Sequence, residues 1–119
     1  MRLLIAEDER DLAEALSVFF EKNQFTVDTV YNGFDAYEYA ITGDYDAIVL
    51  DVMMPKLDGI RATLKIREES SIPIIILSAK TEDADKILGL NIGADDYVEK
   101  PFNPLELVAR VKSQLRRYT

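Results

Sequence analysis

Apolar and polar positions along this chain predict five strands separated by helices. The apolar runs are short, and amphipathic stretches of roughly ten to fifteen residues lie between them, which is the spacing of repeated βαβ units. Turn-forming residues such as Asn32-Gly33 and Gly93 fall between these elements. The pattern therefore predicts an α/β domain in three layers. The predicted strands are Leu3–Ala6, Phe25–Val30, Ala47–Leu50, Ile74–Leu77 and Asp96–Val98.

Three of the helical stretches carry apolar residues whose spacing can be interpreted. The first and last helices each show one stripe, which marks the face that an amphipathic helix buries. In the predicted fourth helix, the apolar residues do not share one face, so that helix cannot bury them all. An exposed apolar patch is a candidate interface. The three sets are Leu12, Ala15, Leu16 and Phe19; Leu105, Val108, Val111 and Leu115; and Ile87, Leu88, Leu90 and Ile92.

The polarity of the strands indicates their order in the sheet. The first, third and fourth are continuously apolar, as central strands covered on both faces are, whereas the second is mixed and the fifth is short and polar. This is compatible with a five-stranded parallel sheet in the order 2-1-3-4-5, the flavodoxin-like arrangement. Ligands of such sheets bind beyond the carboxyl ends of strands one and three, where Glu7, Asp8 and Asp51 follow in this sequence.

Composition limits the chemistry that this site can use. The 119 residues match the size of one domain, and they include no Cys and no His. The chain therefore lacks disulfides, a thiolate nucleophile and the usual Zn²⁺ ligands. No apolar run is long enough to span a bilayer, and a reducing cytoplasm fits the absence of Cys.

The net charge of −8 argues against nucleic-acid binding by this segment itself. The last helix nevertheless ends in a cluster of cations: Arg110, Lys112, Arg116 and Arg117. We interpret this cluster first as cations favoured by the helix dipole, and second as a contact with a following domain.

The three acids have ordinary explanations when each is taken alone. Asp51 would be a helix cap or turn residue, and Glu7 and Asp8 would be acids favoured at a helix N-terminus. Together at neighbouring strand ends, however, they would repel one another unless a cation relieved the repulsion. Carboxylates, a backbone carbonyl and waters suit Mg²⁺, and Mn²⁺ could substitute.

Two further polar residues follow strands at the same edge of the predicted sheet. Lys100 comes just after the fifth strand, where it would point a cation into the acidic pocket, although an isolated lysine is usually a solvated surface charge. Ser78 ends the fourth strand, and its alternative role is a capping or turn hydroxyl.

At these positions the sequence resembles the receiver domain of bacterial two-component response regulators. The resemblance covers residues 1–119 in register as one receiver domain with a CheY-like fold. The run from Asp95-Asp96-Tyr97 through Leu107-Val108-Ala109-Arg110 looks specifically like the OmpR/PhoB-type subfamily. The matching stretches are Ile5-Ala6-Glu7-Asp8-Glu9, Ile48-Val49-Leu50-Asp51-Val52-Met53-Met54-Pro55, Asp58-Gly59, Ile76-Leu77-Ser78-Ala79 and Gly93-Ala94-Asp95-Asp96-Tyr97-Val98-Glu99-Lys100-Pro101-Phe102.

The resemblance implies a role for each residue of the pocket. Asp51 would accept a phosphoryl group from a sensor histidine kinase, assisted by Mg²⁺ bound to Asp8, Asp51 and the Met53 carbonyl, with Glu7 acting through water. Many members have Asp where this chain has Glu7, so the contact of Glu7 with the metal can be direct or through water.

The remaining implied roles belong to residues that would contact the phosphoryl group or change position in response to it. Lys100 and Ser78 would each contact one of its oxygens, and the Ala79 amide would help. Tyr97 would swing inward behind Ser78, which gives a two-state switch. The resemblance also leads us to expect a cis Lys100–Pro101 bond.

The output implied by the resemblance is a homodimer that controls transcription. Two receivers would pair through the predicted fourth helix, fifth strand and fifth helix, with Ile87, Leu90 and Val108 as the apolar patch. Flanking charges would pair as Lys86 with Glu106, Asp96 with Arg110, and Asp95 with Arg117. The alternative is ordinary surface charges that contribute little each. DNA would be bound only through a winged-helix domain outside residues 1–119.

The hypothesis makes the chain a regulatory module that catalyses only its own phosphotransfer and autodephosphorylation. One alternative is a small phosphohydrolase of the haloacid dehalogenase type, but such an enzyme would carry a second Asp at position 53, which is Met here. Another is a flavodoxin-like cofactor carrier, which the acidic first loop without a Gly-rich phosphate cradle disfavours. The full gene length would decide whether the module stands alone.

Overall fold

A computed structural model gives the fold and describes residues 1–78, 91 and 93–117. Five strands form one parallel sheet in the order β2-β1-β3-β4-β5. The predicted order is therefore confirmed, with the two polar strands at the edges. The strands are β1 (Arg2–Ala6), β2 (Thr26–Val30), β3 (Ala47–Asp51), β4 (Ile74–Ser78) and β5 (Asp96–Glu99).

Four helices of the described chain cover the sheet. They are α1 (Arg10–Lys22), α2 (Gly33–Thr42), α3 (Gly59–Arg67) and a last helix (Pro104–Arg117), which we call the C-terminal helix. Side chains cap three of them. Asn32 accepts a hydrogen bond from the Asp35 amide, Asp58 accepts one from the Arg61 amide, and Asn103 accepts one from the Leu105 amide. None of the helices in the described ranges is long and apolar enough to cross a membrane.

The core lies in two layers, one on each face of the sheet, because successive strand residues point to opposite faces. Every residue of β3 and β4 is buried, as expected for central parallel strands. One layer packs α2 and α3 against Leu4, Ala6, Ile48, Leu50, Ile74 and Ile76. The other packs α1 and the C-terminal helix against Leu3, Ile5, Ala47, Val49, Ile75 and Leu77.

The two predicted helical stripes are correct in part. In α1 the residues facing the sheet are Ala13, Leu16 and Phe20, whereas Ala15 is exposed. In the C-terminal helix Leu105 is 65% exposed and Leu107 is fully buried in its place. Each error comes from assigning the stripe by spacing alone, which fixes the period of a helix but not its rotation against the sheet.

The start of α3 is held directly against the end of β3. A Cβ atom on Gly59 would lie 2.1 Å from the backbone oxygen of Asp51, so only glycine permits this approach. The Gly59 amide also donates to the Val52 carbonyl at 2.9 Å. The segment after β3 is therefore folded tightly around Asp51.

Candidate functional site

The acids predicted from the sequence meet at the carboxyl ends of β1 and β3. Ala6 and Leu50 are register partners, so Glu7 and Asp51 are the next residues on adjacent strands. Glu7 is 1% exposed and Asp51 is 4% exposed, whereas Asp8 lies at the surface. One carboxylate oxygen from each of the three lies within 4.8 Å of the others. The sheet topology thus creates the cluster that the strand order predicts.

Lys100 brings a cation into this cluster from β5, at the edge of the sheet. Its amide donates to the Ser78 carbonyl at 2.6 Å, which fixes the backbone beside β4. Its Nζ atom lies 2.7 Å from Glu7 Oε1 and 3.2 Å from Asp51 Oδ2. The following peptide bond to Pro101 is cis, as the resemblance led us to expect.

The proton affinities of the cluster reflect burial and crowding of like charges. Burial raises the pKa of Glu7, and a hydrogen bond shared with Asp51 raises it further against the opposing effect of Lys100. Burial and the neighbouring Glu7 raise the pKa of Asp8. Burial lowers the pKa of Lys100, but its contacts with Glu7 and Asp51 outweigh that effect, so the net shift is upward.

The cluster fits a hard divalent cation. Among the described residues of the cluster, three carboxylates face one ammonium group, and burial and crowding raise the pKa of Glu7 and of Asp8, so a further cation would be stabilised here. Oxygen ligands of this kind suit Mg²⁺. The two oxygens of Glu7 are already engaged, because Oε1 accepts from Lys100 and Oε2 accepts from the Glu9 amide at 3.1 Å. Both oxygens of Asp51 also have partners, but at the longer distances of 3.2 Å to Lys100 and 3.4 Å to the Met53 amide. Asp8 and Asp51 are therefore better placed than Glu7 for direct ligation.

Met53 follows the end of β3 and borders the site. Its amide lies 3.4 Å from Asp51 Oδ1, and its side chain is 70% exposed. The position that a second catalytic Asp would occupy in a haloacid dehalogenase therefore presents an apolar side chain to solvent.

The two predicted switch residues lie on β4 and β5. Ser78 ends β4 and is 3% exposed. Tyr97 is 7% exposed and packs in the core layer that contains Leu50 and Ile76. Tyr97 is thus buried on the strand next to that of Ser78, and its predicted movement stays a prediction. Ala79 lies outside the described residues.

The predicted dimer surface is only partly within the described residues. Lys86, Ile87 and Leu90 lie outside them. Val108 was expected in an exposed apolar patch, but within one chain it is 5% exposed and packs against the sheet. The C-terminal helix turns this side chain towards the core together with Leu107, because both lie on its buried face.

The predicted interface charges form ion pairs within one chain. Arg110 lies 2.9 Å from Asp96 and 3.3 Å from Glu106. These contacts raise the pKa of Arg110, with Asp96 as the main cause. Asp95 pairs with Arg67 rather than with Arg117 of its own chain.

Sequence reasoning did not identify Arg67 or Gln114 as important. Arg67 donates to three acceptors and Gln114 is a buried polar residue of the C-terminal helix. An arginine in the last turn of a helix is usually solvated and favoured by the dipole, so no signal in the sequence separated Arg67 from that ordinary case.

Comparisons with known proteins agree with this geometry. The family model for the response regulator receiver domain matches residues 3–112. The response regulator GtcR of Aneurinibacillus migulanus is 47% identical over 115 residues, which are 97% of this chain and 48% of that protein. The transcriptional regulatory protein YclJ of Bacillus subtilis is 43% identical over 118 residues, which are 99% of this chain and 52% of that protein. The chain thus spans about half the length of these relatives, which are OmpR/PhoB-family response regulators.

Solved structures show the same fold. The receiver domain of the Francisella response regulator 1452 has a TM-score of 0.94 and 38% identity, with 99% of this chain and 98% of that chain covered. The receiver domain of the sensor histidine kinase PA1611 from Pseudomonas aeruginosa, solved with a magnesium ion coordinated in its active site cleft, has a TM-score of 0.88 and 31% identity, with 96% of each chain covered.

Proposed function

The chain belongs to the response regulator receiver domain family of two-component signalling, and we propose that Asp51 is the residue that accepts its phosphoryl group. The observation that carries this proposal is the position of Lys100, whose ammonium group lies between Asp51 and Glu7 in a cluster that also contains Asp8. The site combines a carboxylate nucleophile, a cation for the incoming phosphoryl oxygens and acids for a metal ion. Receiver domains are signalling domains and not metabolic enzymes.

The proposed reaction starts from the phosphohistidine of a sensor histidine kinase. An Asp51 carboxylate oxygen attacks phosphorus in line with the P–N bond, that bond breaks, and the imidazole leaves with its electron pair. The product is an acyl phosphate on Asp51. Later attack by water returns the carboxylate and releases inorganic phosphate, so the chain catalyses only its own phosphorylation and dephosphorylation.

Different residues around Asp51 would bind the metal ion and the phosphoryl oxygens. A magnesium ion held by Asp8, Asp51 and the Met53 carbonyl, with Glu7 through water, would supply charge neutralisation for the phosphoryl oxygens. Lys100 already lies 3.2 Å from Asp51 and needs only a small movement to reach a phosphoryl oxygen. Ser78 and the Ala79 amide would bind the remaining oxygens.

The proposed output is dimerisation. The new contact of Ser78 with the phosphoryl group holds Tyr97 inward and biases the two-state switch. Two copies then pair through a face that includes Lys86, Ile87, Leu90, Asp95 and residues of β5 and the C-terminal helix: Asp96, Glu106, Arg110 and Arg117. The relative YclJ is a transcriptional regulator of about twice this length. We therefore propose control of transcription, in the cytoplasm, by a DNA-binding domain that follows residue 119.

Light scattering tests this output. Beryllofluoride with Mg²⁺ is a stable mimic of the phosphoryl group, and we expect it to move the wild-type molar mass from monomer towards dimer. The matched control is Asp51→Asn under identical conditions, which should stay monomeric. A wild type that remains monomeric at high concentration would count against the proposed dimer surface.

A further inference from the structure

Arg67, the last residue of α3, joins the turn that follows its own helix to the segment 93–95 through its guanidinium group. Its Nε atom donates to the Gly93 carbonyl at 2.8 Å, and Nη1 donates to the Ser70 carbonyl at 3.2 Å. Nη2 donates to Asp95 Oδ2 at 2.7 Å. Its side chain is only 17% exposed, so this is a partly buried and multiply bonded ion pair rather than a surface pair.

Gly93 allows the guanidinium to lie this close. Its φ angle is +108°, a conformation that L side chains rarely adopt. A Cβ atom there would lie 3.0 Å from Cγ of Arg67 and 3.1 Å from its Nε. Gly93 is therefore favoured at this position both by its φ angle and by the lack of space for a Cβ atom beside the Arg67 side chain.

Asp95 also makes two hydrogen bonds with the backbone of Ile74. Its Oδ2 atom also accepts from the Ile74 amide at 2.8 Å, and its own amide donates to the Ile74 carbonyl at 2.8 Å. Its side chain is 13% exposed. The carboxylate that the dimer surface is expected to offer is thus already bound, within one chain, at the start of β4.

Gln114 connects this site to Arg117. Its Nε2 atom donates to the Asp95 carbonyl at 3.3 Å, and its Oε1 atom accepts from Arg117 at 3.4 Å. Gln114 is 6% exposed, so a buried side chain lies between Asp95 and Arg117. Arg117 of the same chain therefore reaches Gln114 and leaves the Asp95 carboxylate to Arg67.

We propose that Arg67 competes with Arg117 of a second copy of this chain for the Asp95 carboxylate, and so weakens the proposed dimer. The inference rests on the proposed dimer surface and adds a residue outside that surface which regulates it. The partner is a second copy of this chain, identified by charge complementarity: its C-terminal helix carries the Arg117 guanidinium, which could pair with the Asp95 carboxylate in place of Arg67.

The physical reason for the competition is charge neutralisation. While Arg67 is bound, a second guanidinium approaches an acid whose charge is already compensated, so it gains little. Without Arg67, the same acid attracts the guanidinium of the second copy. A symmetric dimer contains two such pairs, and each partly exposed pair changes affinity by roughly threefold.

The experiment measures the dimer dissociation constant with beryllofluoride and Mg²⁺ by sedimentation equilibrium. We expect Arg67→Gln to lower this constant roughly tenfold relative to wild type. Arg61→Gln is the matched control, because Arg61 lies on the same helix and its side chain, among the residues that the structure describes, makes only an exposed pair with Asp58. It should leave the constant unchanged. If Arg67→Gln does not fold, Arg67→Lys replaces it, with an expected decrease of about threefold, since an ammonium group loses the geometry of the guanidinium.

A second variant separates competition from general loosening of the fold. In an Arg117→Gln background, adding Arg67→Gln should no longer tighten the dimer. Tightening that persists without Arg117 would overturn the proposal, and so would an unchanged or weaker dimer for Arg67→Gln alone. If wild type itself does not dimerise, the proposed surface fails first, and the two failures are thereby distinguished.

Discussion

Lys100 donates a 2.7 Å hydrogen bond to Glu7 although the two residues are 93 positions apart in the sequence. The same ammonium group lies 3.2 Å from Asp51. The second oxygen of Glu7 accepts from the Glu9 amide, so the orientation of Glu7 is fixed by its own loop. Glu7 therefore holds Lys100 beside Asp51, and this arrangement leads to the predictions that follow.

The raised pKa of Glu7 makes stability depend on pH. A carboxyl group with a raised folded pKa binds more protons in the folded than in the unfolded state, between its ordinary value of 4.5 and its folded value. The free energy of unfolding without divalent ions should therefore fall as pH rises through that window. Urea unfolding at a series of pH values measures the slope.

Glu7→Gln is the variant that isolates this effect. It should flatten the fall in that window, whereas Glu14→Gln, an exposed acid of α1, should retain it. Equal slopes for wild type and Glu7→Gln would show that Glu7 does not cause the pH dependence.

Magnesium should stabilise the fold, because the proposed ion would bind the assembled acids and not the unfolded chain. At a concentration one hundred times the dissociation constant the gain would be about 2.7 kcal/mol. It should shrink as pH falls towards the raised pKa values of Asp8 and Glu7, since the ligands must be deprotonated. Thermal unfolding with and without Mg²⁺ measures the gain.

Asp8→Asn should remove most of this magnesium-dependent stabilisation. Asp11→Asn is the matched control, because Asp11 lies in the first turn of α1 outside the cluster. A full magnesium effect in Asp8→Asn would exclude Asp8 as a ligand.

Lys100→Ala should separate metal binding from switching. Removing the ammonium leaves the acids unneutralised, so Mg²⁺ binding measured by calorimetry should be retained. The phosphoryl group would lose one of its partners, and beryllofluoride should then induce less dimer in light scattering. Lys22→Ala, at the end of α1, should behave as wild type. Normal dimerisation of Lys100→Ala would refute a switching role for this lysine.

The fold and the acidic cluster could be predicted because they depend on patterns local to each strand. Polar residues in β2 and β5 indicated the edges, and the order of the sheet then brought Glu7 next to Asp51. The identity of Lys100 as the cation in this pocket followed from its place just after β5.

The remaining features depend on tertiary packing, which the spacing of residues along the sequence does not determine. Leu105 and Leu107 are both apolar residues of one helix turn, and only the packing against the sheet decides that Leu107 is buried. The contacts of Arg67 with Gly93 and Asp95 join segments 26 and 28 residues away, so no local pattern distinguishes this arginine from a solvated one.

The mass of the intact protein after incubation with a small phosphodonor and Mg²⁺ tests the central claim most directly. The proposed chemistry predicts that wild type gains the mass of one phosphoryl group, that chelation of Mg²⁺ suppresses the gain, and that Asp51→Asn gains nothing. Equal labelling of wild type and Asp51→Asn would contradict the assignment of Asp51 as the acceptor.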